Sequence, residues 1–81
     1  MSGKYPIISG KKMRKFCKKL GYTVVSIRGS HVKMKHLQGS VIIFPLHKEL
    51  KIGTLKDVIS NINNDLGISE EELIKMLEKI Q

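Results

Sequence analysis

The chain has 81 residues and a formal net charge of +8, with 15 Lys or Arg against seven Asp or Glu. That length allows one small domain with a thin stability margin, and 41% hydrophobic residues without a single Trp predict an aliphatic core, one sheet against one helical layer. A lone cysteine, Cys17, excludes an intrachain disulfide and a cysteine-held zinc, and no apolar run nears membrane-spanning length or makes a signal peptide, so a cytoplasmic protein without membrane association is expected.

Residues Met1 to Ile8 read as a short lead, in which Pro6, Ile7 and Ile8 favour an extended chain. Ser9 is placed to cap a helix over about Gly10 to Leu20, because its hydroxyl can accept an orphan backbone N–H. Met13, Phe16, Cys17 and Leu20 recur there at i, i+3, i+4, i+7 and make one apolar stripe. Lysines and Arg14 take the remaining surface, and Gly21 fits a left-handed stop.

A first strand is expected over about Tyr22 to Arg28. Strict alternation puts Thr23, Val25 and Ile27 on one face and Tyr22, Val24, Ser26 and Arg28 on the other. Arg28-Gly29-Ser30 turns the chain into a second strand, His31 to His36. Its Val32, Met34 and His36 should meet the helices, leaving His31, Lys33 and Lys35 on a wet, cationic face. Leu37 to Gly39 reads as a hairpin loop and Ser40 to Phe44 as the third strand, ended by Pro45, which has no N–H for a ladder.

Leu46 to Ile52 reads as a loop carrying His47. Gly53 or Thr54 opens a second helix, with Thr54 the expected cap; Leu55, Val58, Ile59, Ile62 and Leu66 form its stripe, and Gly67 stops it. Ser69 followed by Glu72 is a capping-box signature for a third helix, about Glu70 to Ile80, which either packs back on the domain or serves a partner. The order is α-β-β-β-α with a short final helix. It predicts a single α+β domain over residues 1–81, whose three antiparallel strands keep one wet face while helices cover the other.

The charge is unevenly placed. Residues 1–50 hold eleven Lys or Arg and one acid, Glu49, whereas residues 51–81 hold four Lys and six acids. Seven cations between Lys4 and Lys19, with no acid among them, repel one another. A polyanion relieves that repulsion, and counterion release supplies affinity. A solvated helix face is the blander reading. Nucleic acid is the expected partner, held by Lys11, Lys12, Arg14, Lys15 and Lys18 of the helix, by Arg28, Lys33 and Lys35 of the sheet and by Lys48 of the loop. Aromatic residues are few, so backbone contacts are expected rather than base stacking.

The three histidines divide by position. His31 follows a turn and opens a strand, with Lys33 pointing the same way and Arg28 near across the turn. Cleaving RNA without a metal needs a base for the 2′-hydroxyl proton, an acid for the leaving oxygen and cations for the developing charge. Imidazole titrates near neutrality and can fill either proton-transfer role. On pattern alone His31 is either such a group or a solvated turn histidine. His47 is either a second imidazole or phosphate contact, or a solvated loop residue. His36 reads as a partly buried structural residue. His31 and His36 lie five residues apart on opposite strand faces, so no metal or other cofactor is expected.

An ordered set of motifs carries a resemblance. Ser9-Gly10-Lys11-Lys12-Met13, Leu20-Gly21-Tyr22, Arg28-Gly29-Ser30-His31, Phe44-Pro45-Leu46-His47, Glu49-Leu50 and Gly53 to Ile59 are spread over roughly residues 8 to 68, most of the chain. In this the chain resembles HicA (YcfA-like) toxins, small mRNA interferases of prokaryotic type II toxin–antitoxin modules. The resemblance implies a fold like the double-stranded-RNA-binding domain and a metal-independent endoribonuclease acting on single-stranded or structured mRNA. It implies that His31 is the essential catalytic residue, that His47 matches a second loop histidine, and that a HicB-like antitoxin blocks the active surface. Lys33 and His47 are the candidates, beside water, for the second proton transfer. The rivals from other classes are a non-catalytic nucleic-acid-binding module on the same surface and an adaptor whose basic face meets an acidic protein.

Overall fold

The computed structural model describes residues 5–37 and 39–80; residues 1–4, Gln38 of the hairpin loop and Gln81 lie outside it. The chain runs α1 (Gly10–Lys19), β1 (Tyr22–Arg28), β2 (His31–His36), β3 (Val41–Pro45), α2 (Ile52–Leu66) and α3 (Glu70–Ile80). The strands form one antiparallel sheet in the order β1-β2-β3. This is the expected α-β-β-β-α order with its final helix.

Local signals account for most element ends. The Ser9 hydroxyl accepts the Lys12 N–H at 3.1 Å, and α1 ends at Leu20, with Gly21 following at φ 103°. Gly67 closes α2 at φ 72°, its N–H donating to Asn63 O at 2.8 Å. Ser69 Oγ accepts the Glu72 N–H at 3.1 Å and opens α3 beneath three glutamates, which suit the positive end of the helix dipole.

Three ends differ from expectation. The third strand does not stop at Phe44: Pro45 is its last residue and pairs with His31. Thr54 is not the cap of α2: the helix begins at Ile52 after Lys51, with no side-chain cap. The buried Leu50 donates its N–H to Ile8 O at 2.9 Å, which fixes the chain's entry. Helical bonding then starts at once, with Leu55 N–H on Lys51 O at 2.9 Å. The third strand begins at Val41 rather than Ser40, because the Ser40 N–H is engaged elsewhere.

That engagement is a polar clasp between sheet and α2. Asp65 accepts the Tyr22 hydroxyl at 2.6 Å, and both the N–H and the hydroxyl of Ser40 at 3.2 Å. The Tyr22 ring meets His36 edge-on, centroids 5.0 Å apart. Burial, helped by the hydrogen bond to Asp65, pushes the Tyr22 pKa upward, so Tyr22 stays a donor. Partial desolvation acts to raise the Asp65 pKa, but the bonds from Tyr22 and Ser40 and the nearby His36 outweigh it, and the net direction is down. Asp65 therefore contributes stability that is complete above the ordinary carboxylate range and is lost as pH falls through its lower folded value. In acid titrations followed by urea unfolding, the wild type should lose more stability below about pH 4 than Asp65→Asn. Parallel curves for the two would show that the clasp carries no such linkage.

The core lies between the sheet and the helices. Met13, Phe16 and Cys17 of α1, Val32, Met34, Ile42 and Phe44 of the sheet, and Leu55, Val58, Ile59 and Ile62 of α2 are buried there. The third helix packs back on the domain: Leu73 and Leu77 are fully buried. Burying each is worth about 1.5–3 kcal/mol, enough to hold a short helix down. Cys17 is buried too, and desolvation pushes its thiol up to about 12, which makes it a core side chain rather than a nucleophile. No helix among the described residues is long and apolar enough to cross a membrane.

Candidate active site

The face of the sheet away from the helices is built by β2. Along that strand Val32 and Met34 are buried, whereas His31, Lys33 and Lys35 are exposed, as alternation requires. His36 turns inward against Tyr22.

The first strand does not alternate as expected. Val24 pairs with Met34, but Ser26, not Val25, pairs with Lys33; the register then continues through Ile27 with Val32 and Arg28 with His31. Val25 is an extra residue, a β-bulge, and it reverses the facing of everything after it. Ser26 and Arg28, expected on the side of Tyr22 and Val24, stand instead beside Lys33 and His31. Ile27 takes the covered side but remains 48% exposed, because β1 is an edge strand.

The bulge assembles a site. Directly paired residues stand about 4.5–5.5 Å apart, so Arg28 is the immediate neighbour of His31. On the other flank Ile43 pairs with Lys33. Ser26, Arg28, His31, Lys33 and Ile43 wall one concavity of about 430 Å³. An exposed imidazole between a guanidinium and an ammonium can exchange a proton while the two cations hold a phosphodiester.

The other expected residues fall elsewhere. Lys11, Lys12, Arg14, Lys15 and Lys18 line a separate concavity of about 350 Å³ along α1. That surface faces solvent on the helical side of the sheet, so the basic front half of the chain makes two cationic surfaces. Lys35 lies at the far end of β2. His47 and Lys48 are exposed in the loop after β3. That loop is held by its backbone: Gly10 N–H donates to His47 O at 2.8 Å, and Leu46 N–H to Ser30 O at 2.6 Å. His47 is thus tethered near the strand ends but is not a wall of the His31 concavity. Among the described residues, no three His, Cys, Asp or Glu side chains gather as metal ligands.

Two of the five walls escaped the sequence. Ile43 was within reach, since Val41 and Ile43 alternate outward against Ile42 and Phe44. Ser26 was not, because no residue near Val25 marks the bulge.

Compared with known families, residues 10–63 match the model of the HicA toxin of bacterial toxin–antitoxin modules. The chain belongs to the HicA toxin family. The match runs from the first residue of α1 into the last turns of α2, so it takes in the whole sheet and every wall of the His31 concavity. The opening lead, the end of α2 from Asn64 onward and α3 lie beyond it. No curated protein and no solved structure matches this HicA chain. Membership carries the role of toxin in a two-component module with an antitoxin partner.

Proposed function

We propose that this HicA-family toxin is an endoribonuclease that cleaves mRNA on the open face of its sheet without a metal. The observation that carries the reading is the single concavity shared by Arg28, His31 and Lys33. His31 takes the proton of a ribose 2′-hydroxyl, whose oxygen attacks the adjacent phosphorus. Arg28 and Lys33 hold the phosphate and stabilise its added negative charge. The leaving 5′-oxygen takes a proton from Lys33 or from water. The products are a 2′,3′-cyclic phosphate and a 5′-hydroxyl. A HicB-like antitoxin inhibits by covering this face, where Val41 and Ile43 offer apolar area beside the cations.

The deciding experiment incubates labelled RNA with the protein in excess chelator. Cleavage that ends in cyclic phosphate supports the reading. A stable shifted complex without products would mean that the chain only binds nucleic acid.

The α1 surface binds the RNA backbone outside the site. Lys11 sits in the first turn of α1, where no acid balances it and the helix dipole already disfavours a cation. An RNA phosphate removes that conflict. Replacing Lys11 and Lys15 together with Gln should weaken RNA binding and flatten its log–log salt dependence by about 1.4, or roughly 0.7 for each phosphate no longer neutralised. Stability should move by less than about 0.5 kcal/mol, since both side chains are exposed. An unchanged salt slope would count against a backbone contact there.

A further inference from the structure

Beyond the site at His31, the same face continues along β2 as an ordered array. The row of Arg28 and His31 is followed by Ser26, Lys33 and Ile43, and then by Thr23, Lys35 and Val41. Rows on one face of a strand repeat at about 6.8 Å. The central column is therefore imidazole, ammonium, ammonium, at a step close to that of successive phosphates in an unpaired nucleic-acid strand. The β3 column beside it is aliphatic, with Ile43 54% and Val41 42% exposed.

A second concavity, of about 210 Å³, lies at the far end of this array and is walled by Thr23, Val25, Lys35, His36 and Leu37. The bulged Val25, 55% exposed, is part of it. So the residue that turns Arg28 toward His31 also shapes the other end of the face. An antiparallel sheet with one solvated face ordinarily carries polar residues there. Here three β-branched alkyl groups flank a column of cations, which suits ribose and base edges beside a tracked backbone.

We propose that the open face is a track for unpaired RNA along β2, with the scissile phosphate at His31, the next phosphates at Lys33 and Lys35, and a distal nucleotide in the concavity of Thr23, Val25 and Leu37. The track rests on the nuclease reading and adds the class of substrate. In-line attack by a 2′-hydroxyl needs a backbone freed from A-form geometry, which an unpaired strand supplies.

The test uses the full chain and fluorescent oligonucleotides with a 2′-deoxy sugar at the scissile step, lengthened one nucleotide at a time on either flank. Affinity should rise severalfold with length on one flank, since His31 opens β2 and the strand runs one way from it. Lys35→Met, which keeps the alkyl stem of an exposed side chain, should erase that gain. The same sequence locked in a duplex should show none. The track is overturned if wild-type affinity is independent of length, if the gain survives Lys35→Met, or if the duplex gains equally. Cleavage of the all-ribose strand is read separately. Cleavage without a Lys35-dependent gain removes the track and leaves the nuclease standing, whereas a Lys35-dependent gain without cleavage keeps the track and removes the chemistry.

Discussion

His31→Ala is expected to cut RNA cleavage about 10²–10⁴-fold, the usual weight of one positioned acid–base group, and to leave the melting temperature nearly unchanged. The two halves of this result have separate causes. The ring is exposed at the start of β2, so its removal opens no cavity. Yet among the described residues it is the only imidazole in the concavity of Arg28 and Lys33, so no neighbour of like chemistry replaces it. RNA binding should persist, because the α1 lysines and the sheet cations are untouched. Wild-type cleavage by the purified variant would remove His31 from the chemistry and turn attention to Lys33. Loss of cleavage with a collapsed melting curve would instead make His31 structural, against its exposure.

The largest effect on stability should come from Gly10→Ala. A Cβ at Gly10 would fall on Pro45 O and 2.5 Å from Leu46 Cα, both backbone atoms that cannot rotate away. The N-terminus of α1 is pressed against the loop after β3, with Gly10 N–H on His47 O and Leu50 N–H on Ile8 O. Forcing the two apart should cost about 2 kcal/mol, as overpacking does, and lower Tm by roughly 8–16 °C for a domain of this size. Gly53→Ala is the control. A Cβ there meets open space inside the first turn of α2, so it should be neutral or stabilise by up to about 1 kcal/mol. Equal melting temperatures for Gly10→Ala and the wild type would mean that the contact is loose. Because Pro45 pairs with His31, the Gly10 variant should also weaken cleavage more than its remaining folded fraction explains.

The covered side of the fold is legible in the chain because it rests on local rules. Met13, Phe16 and Cys17 repeat at the helical period, Val32 and Met34 at the strand period, and each set is buried where its period places it. Ser9, Gly21, Gly67 and Ser69 mark helix ends through bonds that reach only three or four residues. The cap of α2 escapes the same reading, since Lys51 is fixed by the distant pairing of Leu50 with Ile8.

The site itself is only half local. The sequence determines that His31, Lys33 and Lys35 share a face, since alternation within one strand needs no partner. It also determines an exposed Ile43 and a cationic α1. The turn already brings Arg28 near His31, but the tertiary structure alone decides that the two share a face, that Ser26 joins Lys33, and that the α1 cations lie apart from both. The physical reason is the extra residue Val25. A strand read alone keeps its period of two, and only pairing with β2 reveals where one residue goes unpaired and every later side chain changes sides.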